Sequence, residues 1–119
     1  MNAEDLRYRS RQLTIRVISF LRSLPQNIET RELSRQLFRS AASVAVNYRA
    51  AGRARSRREF IAKLSIVVEE VDETVFWLEL ISEVGIYAGP DLDAITKEAK
   101  ELLYIFSASR KTAKENAKD

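Results

Sequence analysis

Residues 30–64, TRELSRQLFRSAASVAVNYRAAGRARSRREFIAKL, decide the fold. With Thr30 as N-cap, apolar side chains recur every three or four residues and lie within one arc of a helix that turns about 100° per residue. The arc consists of Leu33, Leu37, Ala41, Val44, Tyr48 and Ala51. Ser56 and Glu59 have the spacing of a capping box, so a second helix over 30–54 ends before a third begins at 57.

The flanking sequence predicts one further helix on each side of this pair. Pro25 ends a first helix over 4–24, Gly85 supplies a left-handed turn after a third helix over 57–84, and Asp91 is the N-cap of a fourth over 91–113. Their core residues are predicted to be Leu6, Leu13, Val17, Leu21 and Leu24 in the first, Phe60, Leu64, Val67, Val71, Val75 and Leu78 in the third, and Leu92, Ile95, Ala99, Leu102 and Phe106 in the fourth. Because short connections make neighbouring helices antiparallel, we expect a single all-α domain over 1–119, an up-down-up-down four-helix bundle with a flexible C-terminal tail.

Composition excludes several classes of function. The 119 residues include no cysteine and no histidine, which removes disulfides, thiolate metal sites and the commonest general base. The three glycines are too scattered for a phosphate-binding loop. We therefore expect no enzyme activity, no catalytic residues, no metal and no cofactor. No apolar run reaches the length of a membrane span and no secretion signal is evident, so we expect a cytoplasmic protein without membrane partners.

Basic residues are concentrated in the first half of the chain. Residues 1–58 hold 13 Arg and 4 acidic residues, net +9, whereas residues 59–119 hold 7 basic and 13 acidic residues, net −6. On the second helix, one row of Arg lies opposite the apolar arc, and Arg57 continues this row if the helix persists that far. This Arg row consists of Arg31, Arg35, Arg39, Arg49, Arg53 and Arg57. It is either a solvated or ion-paired face or a contact surface for the phosphates of RNA or DNA, and no base-reading motif accompanies it.

The third helix carries apolar residues on a second side, opposite its core stripe. A helix that is apolar on two sides needs a second partner, and we expect that partner to be another copy of the chain. The predicted oligomer interface contains Phe38, Val46, Ala62, Ile66, Glu73, Phe76, Trp77 and Leu80. Glu70 and Glu73 are interpreted as structural, pairing with Lys63 or with an Arg of the next subunit, because di-iron bundles usually also require histidine.

Residues 40–79 resemble a known family in the order and spacing of particular side chains. The matching residues are Ser43, Asn47, Tyr48, Arg49, Ala51, Ala54, Ser56, Phe60, Lys63, Leu64, Ile66, Glu70, Glu73, Trp77 and Leu78. In these positions the chain is similar to the 23S rRNA intervening sequence proteins, which are small bacterial four-helix bundle proteins. Ala50 departs from the pattern, because related sequences tend to have Glu after Asn-Tyr-Arg. Without that acid, the Arg row is less neutralised.

The resemblance implies a homopentameric, ring- or barrel-like assembly with a basic surface and an unsettled function. A related branch consists of accessory proteins of diversity-generating retroelements, which bind a reverse transcriptase and nucleic acid. By this resemblance Arg49 belongs to the basic surface, and Asn47, Lys63, Glu70, Glu73 and Trp77 fit contacts within or between subunits. Three hypotheses remain open: an oligomer that binds nucleic acid, an adaptor for a protein such as a reverse transcriptase, and a purely structural oligomer.

Overall fold

Four α-helices make up the protein, as the sequence predicts. A computed structural model describes residues 1–117, in which α1 spans Ala3–Arg22, α2 Ile28–Ala51, α3 Arg57–Glu83 and α4 Pro90–Ala117. No strand occurs in these residues. The molecule is a rod of 51 × 21 × 20 Å. The C-terminal tail differs from the expectation of a helix that ends at 113, because α4 stays helical through Ala117. Residues 118–119 lie outside the described part.

Two of the predicted N-caps are wrong. Asn27, not Thr30, caps α2, because its side-chain oxygen accepts the Thr30 amide at 2.9 Å. Thr30 is instead buried inside the first turn. Asp91 likewise lies within the first turn of α4, which begins at Pro90. Proline suits that position because its fixed φ fits a helix and its missing N–H would have no helical partner there.

The cap at Ser56 and the turn at Gly85 are confirmed, but the second bond of the predicted capping box, from the Ser56 N–H to the Glu59 side chain, is not formed. Ser56 Oγ accepts the Glu59 amide at 3.0 Å, which starts α3 directly after the loop. The Glu59 carboxylate lies 3.5 Å from Arg55 Nε. Gly85 has φ +77°, a left-handed conformation in which a side chain would be strained, and it ends α3. These two positions fix both ends of the helix that carries the second apolar face.

The predicted apolar stripes meet in one core. Leu13, Leu37, Leu64 and Phe106, from the four helices, are fully buried. Of the predicted core residues, only three remain half-buried at its edge, namely Leu21, Leu33 and Phe60. One polar link crosses the core, where Thr74 Oγ1 donates to Ser40 Oγ at 2.9 Å. The link joins α2 to α3, and each hydroxyl also lies within hydrogen-bond distance of a carbonyl of its own helix, that of Leu37 for Ser40 and that of Glu70 for Thr74.

Each helix packs against two others. α1 contacts α2 and α4, and α3 contacts α2 and α4, whereas the pairs α1–α3 and α2–α4 form no comparable contact within residues 1–117. A long-range ion pair joins α1 to α4, with Arg9 Nη2 lying 2.6 Å from Glu98 Oε1. Within the same residues, none of the helices has an apolar stretch that would span a bilayer. The arrangement is an elongated four-helix bundle.

Candidate nucleic-acid interface

The first half of the Arg row is largely neutralised by carboxylates. Arg31, Arg35 and Arg39 are all exposed. Arg35 Nη2 lies 2.9 Å from Glu32 Oε2, one turn earlier on α2. Arg39 reaches across to α3, where its guanidinium pairs with Glu70 at 3.0 Å and also with Glu73. Two of the three guanidinium groups in this half therefore already have an acidic partner within the chain.

Glu73 connects this ion pair to the indole of Trp77. The hydrogen bond from Arg39 lowers the pKa of Glu73, against a smaller opposing effect of burial, so the carboxylate stays ionised. Its other oxygen accepts the Trp77 indole N–H at 3.1 Å. Glu70 and Glu73 are thus paired with Arg39 of their own chain, and not with Lys63 as one of the expected alternatives had it.

The second half of the Arg row lies at the corner between α2 and α3. α2 ends at Ala51, so Arg53 lies in the loop and Arg57 is the first residue of α3. The helix does not persist, so Arg57 does not continue the line of α2. The loop is held by backbone bonds from Arg53 N to the Ala50 carbonyl at 3.0 Å and from Ala54 N to the Ala51 carbonyl at 3.1 Å. The break at Ala51 turns a single line of cations into a compact group.

This group, called the basic corner below, consists of Arg49, Arg53, Arg55, Arg57 and Arg58. All five side chains are exposed. The pair between Arg55 and Glu59 at 3.5 Å is the one ion pair at the corner within residues 1–117. Five guanidinium groups with one nearby carboxylate leave a strong excess of positive charge, and each planar fork suits bidentate contact with a phosphate.

A groove between α1 and α2 extends the basic corner, and sequence reasoning missed it. Arg7, Tyr8 and Arg11 of α1 face Ala45, Val46 and Arg49 of α2 across a cavity of about 440 Å³. The Arg7 guanidinium also approaches the end of α2, since a Cβ on Gly52 would lie 3.4 Å from Arg7 Nη1. The spacing of Arg7 and Arg11, one helical turn apart, is the sequence feature that could have identified this α1–α2 groove.

The predicted oligomer interface is divided between two sides of the bundle. On α3, Ala62, Ile66 and Phe76 are exposed, while Glu73, Trp77 and Leu80 are half-buried. Phe76 and Trp77 pack edge to face with ring centroids 5.0 Å apart. We call these six residues the α3 outer face.

Phe38 and Val46 do not join the α3 outer face. Val46 lines the α1–α2 groove. Phe38 lies two residues before Ser40, whose side chain bonds to Thr74 on α3, and so projects about 160° away from that contact. Both side chains are exposed. Within residues 1–117, no group of three acidic, His or Cys side chains is placed to hold a metal ion.

Two comparisons place the chain among known proteins. A family model described as 23S rRNA-intervening sequence protein matches residues 5–108. The crystal structure of a protein of unknown function from the S23 ribosomal protein family of Bacteroides thetaiotaomicron is similar in fold, with a TM-score of 0.81 and 26% sequence identity over 93% of this chain and 99% of that chain. No curated protein sequence matches the chain significantly.

Proposed function

Since the chain belongs to the 23S rRNA-intervening sequence protein family, we propose that it is a non-enzymatic, cytoplasmic, oligomeric protein that binds nucleic acid. Binding takes place at the basic corner and follows the phosphate backbone, without strong preference for base sequence. The oligomer is a homopentamer of antiparallel, up-down-up-down bundles.

The excess of unpaired guanidinium groups at the basic corner is the observation that carries this proposal. Five Arg occur within ten residues, 49–58, and Glu59 is the acidic side chain that pairs there. Phosphates recruited to such a surface release condensed counterions, which favours binding of any nucleic acid strand. No base-reading motif accompanies these Arg in the sequence, so charge and shape determine what binds.

Contacts between the helices support the antiparallel arrangement. Arg39 and Thr74 tie the middle of α2 to the middle of α3, and Leu33 near the start of α2 lies beside Val84 at the end of α3. α1 runs opposite to α2 in the same way, with Thr14 bonded to Ala41 and Arg7 beside Arg49. In this arrangement the N-terminus of α1 and the corner between α2 and α3 lie at one end of the rod.

The α3 outer face supports self-association. It presents an exposed aromatic ring, Phe76, against the half-buried indole of Trp77. Aromatic residues of this kind are enriched at the centres of protein interfaces. We expect Trp77→Ala to lower the oligomer mass measured by multi-angle light scattering, and Tyr104→Ala, an exposed aromatic on α4, to leave it unchanged.

The direct test of the proposed function combines light scattering with binding at two salt concentrations. Fluorescence anisotropy of labelled RNA and DNA should show binding at low salt that weakens steeply as salt rises, with a log–log slope of about −0.7 for each phosphate contacted on a single strand. A purified oligomer that retains neither RNA nor DNA at low salt would contradict the proposal. Recovery of one protein partner after nuclease treatment, such as a reverse transcriptase, would favour the adaptor role instead.

A further inference from the structure

We propose that the α1–α2 groove is a site for single-stranded nucleic acid, in which an unpaired base stacks on Tyr8. Arg7, Arg11 and Arg49 contact the phosphates on either side of that base. The inference rests on the proposed function, because it assumes that the adjoining basic corner binds nucleic acid. It adds that the protein prefers a single strand to a duplex, and that Tyr8 distinguishes the two.

The groove combines the two features that single-strand binding requires, a cationic rim and an exposed aromatic ring. Its cavity of about 440 Å³ is lined by three Arg, Tyr8, Ala45 and Val46. None of the three guanidinium groups has a carboxylate within 4.0 Å among residues 1–117. Arg7 and Arg11 lie one turn apart, about 6 Å along α1, so they can contact successive phosphates of one strand.

Tyr8 is largely exposed although it lies beside the packed helices α1 and α2. It is 65% exposed, as is Val46 on the opposite wall. Tyr8 is not part of the hydrophobic core, and a ring face open to solvent beside cations is the arrangement on which bases stack in single-strand binding proteins. A duplex keeps its bases stacked on each other, so Tyr8 can distinguish an unpaired strand from a paired one.

The same surface continues along the two helices. Ile15 lies seven residues after Tyr8 and Phe38 seven residues before Ala45, so each repeats the direction of a groove residue to within about 20°. Ile15 is 48% and Phe38 46% exposed. Thr14 Oγ1 donates to the Ala41 carbonyl at 3.0 Å, which holds α1 and α2 together at this level. The groove therefore opens onto an apolar strip that can accommodate the faces of further unpaired bases.

Fluorescence anisotropy tests the site with one labelled 12-nucleotide DNA strand, alone and annealed to its complement. We expect Tyr8→Ala to weaken binding of the single strand by at least about fivefold, the lower end of what the loss of one stacked base costs, and to leave duplex binding unchanged. Tyr8→Phe keeps the ring and should bind the single strand like the wild type. Ile28→Ala is the control, since Ile28 is an exposed side chain at the start of α2, at the end of the rod remote from the groove.

Each other outcome overturns the inference in a distinguishable way. If Tyr8→Ala binds the single strand as well as the wild type does, while replacement of the basic-corner Arg outside the groove (Arg53, Arg55, Arg57 and Arg58) abolishes binding, the groove is not the site and the proposed function stands. Equal losses for single strand and duplex, or a loss for Tyr8→Phe as large as for Tyr8→Ala, would show that stacking is not involved. If the wild type binds neither form, the proposed function fails as well. Circular dichroism confirms that each variant is folded.

Discussion

The two halves of the Arg row have the same residue type and the same four-residue spacing in sequence but different surroundings. In the first half, Arg35 and Arg39 pair with Glu32, Glu70 and Glu73. In the second half, Arg49, Arg53 and Arg57 have no carboxylate within 4.0 Å among residues 1–117. The difference teaches that Arg residues at regular spacing stay unneutralised only where neighbouring parts of the chain supply no counter-charge.

The largest expected effect comes from neutralising each half in turn. Arg49, Arg53 and Arg57, all replaced by Gln, should weaken nucleic-acid binding at low salt by at least about tenfold and reduce the log–log salt slope by about 2, since three phosphate contacts are lost. The matched control replaces Arg31, Arg35 and Arg39 by Gln, which removes the same charge. Its effect on binding should be much smaller, because two of these groups are already paired. Equal losses in the two triple variants would refute the distinction between the halves.

A smaller change supplies the missing acid to the second half. Ala50 is followed three residues later by Arg53, and Ala50→Glu places a carboxylate one turn before that guanidinium. We expect affinity for a single strand to fall by about twofold to fivefold, with the fold unchanged. Ala50→Gln has the same size without the charge and serves as the control in the same anisotropy titration. A loss as large for Gln as for Glu would mean that size, and not charge, is responsible.

The smallest expected effect is on stability in the first half. Glu73→Gln removes one partner of Arg39 and should lower the free energy of unfolding at neutral pH by about 0.5 to 1 kcal/mol, since the pair is partly exposed. The Arg39 hydrogen bond lowers the pKa of Glu73 in the folded protein. The contribution of the Glu73 carboxylate to the free energy of unfolding is therefore complete above the ordinary carboxyl pKa, and it is lost as the pH falls through the lowered pKa of the folded protein.

Urea unfolding of the wild type and Glu73→Gln at a series of pH values measures this contribution. The difference in the free energy of unfolding should be constant near neutral pH and should narrow under acidic conditions. A difference that stays the same down to strongly acidic pH would show that the substitution acts through packing around Trp77 and not through the charge of Glu73.

The fold could be predicted from the sequence because apolar period, proline and glycine act locally. The core residues of all four helices and the cap at Ser56 follow from such local patterns. The two wrong N-caps occur where neighbouring residues could take the same position. Asn27 and Thr30 both have a side-chain oxygen that can cap a helix, and α4 begins at Pro90, one residue before Asp91. Composition alone could not decide these cases.

The site was less predictable, because it depends on contacts between distant parts of the chain. The helical wheel places Arg39 and Arg49 on one face, but only the packing of α3 on α2 brings Glu70 and Glu73 to Arg39. The α1–α2 groove also depends on tertiary packing, since Arg7 and Arg49 are 42 residues apart in sequence and line the same groove only because α1 packs against α2. The ion pair of Arg9 with Glu98 joins the two ends of the chain in the same way.

The most direct test of preferential binding at the second half is a residue-by-residue titration. Two-dimensional amide NMR spectra of the ¹⁵N-labelled protein would be recorded as an unlabelled 12-nucleotide DNA strand is added at low salt. The account predicts that the shifts concentrate in residues 49–59 and in the first turns of α1, with little change in residues 28–40. Shifts centred on residues 28–40, or on the α3 outer face alone, would contradict it.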